Sequence, residues 1–227
     1  MRIKEFDLDL PDVDTDGIAE LQQLVGAGNL ILNGALADLG TALRFDVGDA
    51  GYSAGVGGVQ IAIDSSGDVN TVVFTVTGLD ADGKTQTEDI TGVTTTAVES
   101  AKYFSRITTI AADAAVGSDV FVGPVDEATS RTIPLNWRAA TAATINVDVT
   151  GTINFTVQET FDNVQVVGQS AQQNAQWINI SALASKTADT TSTATLGATA
   201  VRILINSYSS GGELQMNVNQ PSEYSAA

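Results

Sequence analysis

The stretch from Thr71 to Gly92 constrains the fold of this chain more than any other part. Val72, Phe74 and Val76 fall on one face, and Val73, Thr75 and Thr77 fall on the other. That period of two belongs to a half-buried strand. The apolar run stops at Gly78, and Asp80 to Gly83 is turn chemistry. Asp bonds its own backbone, and Gly supplies positive φ. A second alternating run follows at once, so the stretch predicts a β-hairpin. Nearly every later segment repeats the pattern of short β run, Gly/Asp/Asn turn and further β run. At 227 residues with 43% hydrophobic content, much of it Ala and Val, the composition is that of strands and loops.

The residues that are missing exclude whole classes of chemistry. With no Cys, disulfides and thiolate metal sites are ruled out. With no His, so are Ser-His-Asp nucleophiles, His acids and most zinc sites. The net charge is −17, which disfavours phosphate backbones and anionic membrane surfaces and leaves a basic protein surface as a plausible partner. The charge is uneven: residues 1–131 carry 21 acidic and 7 basic groups, and residues 132–227 carry 6 and 3. No apolar run approaches a membrane span, and no secretory h-region is visible near Met1.

Residues 1–28 are expected to form an extended acidic N-terminal arm, because Asp7, Asp9, Asp12, Asp14 and Asp16 repel one another in any compact helix. Ile18, Leu21, Leu24 and Val25 have helical spacing, with Asp16 as cap and Gly26 as stop. Residues 29–123 read as a first β-sandwich domain. Within it, Gly48 to Gly58 is a Gly-rich loop that lacks the Lys of a phosphate cradle. Residues 124–134, framed by Pro124 and Pro134, read as a linker. Residues 135–227 read as a second β-sandwich domain. Here Ile145/Val147/Val149, Ile153/Phe155/Val157, Val201/Ile203/Ile205 and Leu214/Met216/Val218 each alternate with polar residues. Ser181 to Gly197 is expected to be a surface loop.

Asp12-Val-Asp14-Thr-Asp16-Gly17 matches the start of a calcium loop, but Gln23 stands where a bidentate Glu belongs and no entering helix precedes Asp12. It is read as a solvated acidic segment. Asp80-Ala-Asp82-Gly83 is read as a plain hairpin turn. Carboxylates are numerous, yet nothing singles out a glycosidase pair. Trp137 and Trp177 are expected to pack in the core or at a domain interface rather than stack on a sugar. No catalytic, metal or cofactor residue is assigned.

Two stretches carry a family resemblance. The first is Phe74 to Gly83, Thr87 to Gly92, Tyr103-Phe104 with Ile107 and Ile110, and Val120 to Gly123. The second is Thr150 to Asp162, Trp177 and Ala200 to Asn206. Together they resemble virion structural proteins of tailed bacteriophages, over roughly residues 25–220. The resemblance implies an all-β protein of two antiparallel, jelly-roll-like sandwiches with a non-enzymatic role, foremost a capsid decoration (cement) protein. It implies the major capsid protein and further copies of the chain, as a homotrimer, for partners. It also implies a place on the capsid exterior after synthesis in the host cytoplasm. A head or tail fibre adhesin that recognises host glycans through Ser181–Gly197 and Ser207–Gly212 is the alternative.

Overall fold

The computed structural model describes residues 2–10, 12–38, 42–44, 57–139, 141–164 and 170–220. The Gly-rich stretch 48–56 and Pro11 lie outside the described residues. In chain order the first strands are β1 (Arg2–Asp9), β2 (Ala19–Leu24), β3 (Gly28–Asn29), β4 (Ala37–Asp38), β5 (Ala42–Arg44), β6 (Gly57–Ser65), β7 (Val73–Leu79), β8 (Thr85–Thr91), β9 (Val98–Glu99), β10 (Arg106–Ala112) and β11 (Val116–Ser130). They are followed by β12 (Ile133–Pro134), β13 (Thr144–Thr150), β14 (Ile153–Thr160), β15 (Ile178–Asn179), β16 (Thr190–Thr193), β17 (Ala200–Tyr208) and β18 (Glu213–Gln220). A one-turn helix α1 (Ala171–Asn174) and a 3-10 turn at Ser181–Leu183 interrupt the strands.

Among the described residues the protein is all-β, and its ladders are antiparallel. Three sheets form. One has the order β1-β18-β13-β16, the second β4-β5-β10-β7-β8 with β3 also on β10, and the third β15-β14-β17-β11-β6-β9 with β12 on β17 and β2 on β11. The hairpin at Thr71–Gly92 forms as β7 and β8, with Val73 opposite Thr91 and Leu79 opposite Thr85. Gly83 sits at φ +73°, the left-handed conformation that an L side chain resists. The alternation read from the sequence translates into burial. Phe74, Val76, Ile145, Val147, Phe155, Val157, Ile203, Ile205, Met216 and Val218 are each at most 1% exposed.

The chain does not part at residues 124–134. Those residues belong to β11, which runs without a break from Val116 to Ser130, and to the short β12. The two prolines misled because Pro is excluded only from positions whose N–H the ladder needs. Pro124 sits beside a bulge, where the register against β6 shifts between Pro124 and Ala128, and Pro134 ends β12. Beyond the bulge, Ala128 and Thr129 pair with Ile205 and Leu204 of β17. One sheet thus draws strands from both expected domains, and one continuous hydrophobic cluster runs from Leu8 to Val218.

The N-terminal segment is extended, but it is not an arm standing apart. Each residue of β1 pairs with β18, from Arg2 opposite Gln220 to Asp9 opposite Glu213, and Leu8, Leu10 and Ile18 are buried. Nor is there a helix at Ile18–Val25. That segment is β2, paired with Val116, Val120 and Val122 of β11. Leu21 is 57% exposed, so the residues at helical spacing bury no common stripe. Gln22 closes the structure by accepting from the Ile31 N–H (2.7 Å) and donating to the Ile31 carbonyl (3.0 Å). The stretch Ser181–Gly197 is also ordered. Leu183 and Ala194 are buried, and β16 extends the first sheet against β13.

Close backbone contacts fasten the entry of the chain. A Cβ on Gly123 would lie 1.9 Å from the Asp14 carbonyl oxygen and 2.5 Å from the Thr15 carbonyl carbon. Neither obstacle is a movable side chain. Gly123→Ala must push residues 14–15 off β11 and should destabilise the protein by about 1–3 kcal/mol, read as a lowered urea midpoint. An unchanged midpoint would show that the N-terminal segment is not held on β11.

Candidate functional site

The Asp80–Gly83 turn is more than a reversal of the chain. Asp80 is 1% exposed. One carboxylate oxygen accepts the Asp82 N–H (2.9 Å) and the Lys84 N–H (2.8 Å). The other accepts the Gln173 side-chain amide (2.8 Å) and the Ser170 hydroxyl. Ser170 is in turn the N-cap of α1, taking the Gln173 N–H at 3.3 Å. Asp82 accepts both the backbone N–H and the hydroxyl of Thr132, each at 2.7 Å. Two acids read as punctuation thus tie the hairpin tip to α1 and to the lead into β12. Sequence spacing could not show this, because their partners lie 50 to 93 residues away.

The same use of polar groups recurs throughout the interior. Glu159, 5% exposed, accepts the Thr195 N–H (2.7 Å) and hydroxyl (2.5 Å). Gln86 donates to the Tyr103 carbonyl (2.6 Å), and Ser100 receives the Ile61 N–H (3.0 Å). Thr129 donates to the Ile203 carbonyl, and Ser130 accepts the Ile203 N–H. These groups are consumed in holding backbone and are not aimed at open space.

The acidic N-terminal run is arranged otherwise. Asp12 accepts from the Ser210 hydroxyl in the β17–β18 turn. Asp14 and Asp16 are in contact. The hydrogen bond from Asp16, and then burial, hold the Asp14 carboxyl above the usual carboxylate range. Among the described residues no group of three or more acids converges as metal ligands would.

The two tryptophans part company. Trp177 is half-buried. Its indole N–H donates to the Ala171 carbonyl (3.2 Å), and the Arg202 guanidinium lies 4.5 Å over its ring. Trp137, expected to be packed, is 53% exposed. The reason is local. Asn136 accepts the Arg138 N–H (3.2 Å) and the Ala139 N–H (3.0 Å), a tight turn that throws Trp137 outward. Arg138 covers its ring at 4.6 Å. With Phe161 (48% exposed), Val164 and Thr199, it borders a shallow hollow of about 300 Å³. Asn136, whose side chain can bond the backbone N–H two residues on, was the readable signal for this turn.

Two measurements follow. Iodide should quench one tryptophan class and spare the other, and Trp137→Phe should remove the quenchable class; loss of the protected class instead would reverse the assignment. Asp80→Asn presents an N–H₂ to groups that already donate, so it should cost about 1–3 kcal/mol in chemical denaturation, whereas an exposed turn Asp would cost almost nothing.

No family model matches the chain, and no curated protein matches its sequence.

Proposed function

We propose that this chain is a non-enzymatic structural protein of a bacteriophage virion, a capsid decoration protein that binds and stabilises the head shell. The observation that carries this reading is how the interior polar groups are used. Asp80, Glu159, Gln86 and the buried Ser and Thr hydroxyls cross-tie distant strands and turns. Buried polar networks of this kind rigidify a body when every member is satisfied. A shell component needs such a body and needs no reaction centre.

The charge supports the same reading, since a net −17 suits a basic face on a shell protein. The working surface proposed here is not a detachable arm. Residues 1–17 cannot be deleted harmlessly, because removing them uncovers β18 and strips Leu8 and Leu10 from the core. What β1 does offer is position. Among the described residues it is the edge strand of its sheet, with no second strand paired to it. A cyclic homotrimer at the three-fold positions of a shell is the assembly proposed.

One observation favours the adhesin reading, in which the chain belongs to a head or tail fibre. Trp137 and Phe161 together form an exposed aromatic border, the kind of surface that stacks on pyranose rings. A glycan array distinguishes the two at this border: an adhesin binds glycans there and loses them on Trp137→Ala, whereas a decoration protein shows no glycan binding that Trp137→Ala removes.

The direct test is reconstitution. Added to undecorated heads, the protein should appear as ordered density at symmetric shell positions in cryo-electron microscopy. Its occupancy should fall as salt shortens the screening length from about 10 Å at 0.1 M to about 3 Å at 1 M. Density confined to the tail, or none, overturns the reading.

A further inference from the structure

Arg202 is the least expected charge in the protein. It lies on β17, within the sheet shared by both halves of the chain, and most of its surface is withdrawn from water. A buried guanidinium ordinarily sits against a carboxylate. Here its hydrogen-bond partners are neutral. Nε donates to the Gln158 side-chain oxygen (2.8 Å), and Nη1 donates to that of Gln172 (2.6 Å). Below it is the face of Trp177. Those two bonds take two of the five N–H donors that a guanidinium carries.

The fork is held in one plane from several sides. Gln158 is itself fixed by Asn179 (2.8 Å), and Gln172 by the Ser130 carbonyl (3.0 Å) and the Thr132 hydroxyl (3.2 Å). Beside it opens a hollow of about 430 Å³ between the hairpin tip, the Ala101–Tyr103 segment, α1 and β17. The acids around this hollow keep their charge but are each held by neutral donors: Asp80, in its lining, by the turn and α1, Asp82 by Thr132, Glu88 by the Ala101 and Lys102 N–H groups, and Glu127 by the Tyr103 phenol. Burial draws Arg202 down to about 10, with the nearby Asp82 carboxylate acting the other way, so it stays charged at neutral pH although its hydrogen bonds go to neutral amides. Burial pushes the Tyr103 phenol up to about 12, so it stays protonated.

We propose that this hollow binds the carboxylate of an acidic sugar, with Arg202 as the anion-binding residue and the side-chain amides around it as hydroxyl partners. One fixed guanidinium matches one monoanion bidentately, whereas a phosphate dianion asks for more positive charge than a net −17 chain gathers here. Gln86, Gln173 and Asn174 line the rest of the hollow. Their N–H₂ groups donate to the Tyr103, Asp80, Thr85 and Ser170 oxygens, which leaves the amide carbonyl oxygens as acceptors for a ring of hydroxyls. The site stands independently of the virion reading, since a decoration protein and a fibre could each carry it.

The test uses the full ¹⁵N-labelled chain, titrated by nuclear magnetic resonance with sodium glucuronate, N-acetylneuraminate, glucose and acetate. Both sugar acids should shift the amides of residues 101–103 and 172–174 saturably, and glucose and acetate should not. Arg202→Gln should weaken the sugar acids about tenfold. Asn174→Asp, an exposed change that sets a repelling carboxylate at the rim, should weaken them in a protein whose remaining spectrum is unchanged. No saturable shift with either sugar acid overturns the proposal. So does acetate acting at the same concentration, glucose binding equally well, or an Asn174→Asp protein that binds as before.

Discussion

Two residues of backbone pairing hold the two parts of the largest sheet together. Ala128 and Thr129, at the end of β11, pair with Ile205 and Leu204 of β17. Everything C-terminal in the largest sheet attaches to everything N-terminal through that ladder. The side chains reinforce it. Thr129 and Ser130 bracket Ile203 from one side, and the Gln172 amide reaches back to the Ser130 carbonyl. Because a ladder cannot rotate about its own hydrogen bonds, the two halves share a core instead of meeting across a hinge.

What the sequence made legible follows from the range of the forces involved. Alternation is a local property, so the buried faces of β7, β13, β14, β17 and β18 could be read directly. Turns depend on one or two residues, and Gly83, Gly151 and Gly211 take the positive φ that their positions imply. β17 shows the limit of the pattern. Its buried phase slips after Ile205, where Asn206 forms a bulge against β14 and its amide donates to Asn154 (2.7 Å) and Thr156 (3.1 Å). No residue nearby announces that slip.

The readings that failed were those in which composition stood in for partnership. A Pro-framed polar stretch resembles a linker until a bulge gives its Pro a position with no N–H to lose. A row of acids resembles a free arm until a partner strand 204 to 218 residues away occupies its backbone. Trp137 and Trp177 were indistinguishable by residue type, and only the Asn136 turn and the Arg202 stack separate them. The polar cluster around Arg202 could not be read at all, because its members come from five segments with no shared motif.

The pairing of β1 with β18 also sets an order of events during synthesis. Among the described strands β1 is made first, and its partner β18 last. At about 5–20 residues per second, roughly 10–40 s pass before Glu213–Gln220 exists to receive it. Throughout that interval the nascent chain carries an unpaired strand with Phe6, Leu8 and Leu10 set among Glu5, Asp7 and Asp9. An apolar strand left open that long would recruit its neighbours on the polysome. The acids make such encounters repulsive, so the charge at the start of the chain guards a strand that has to wait.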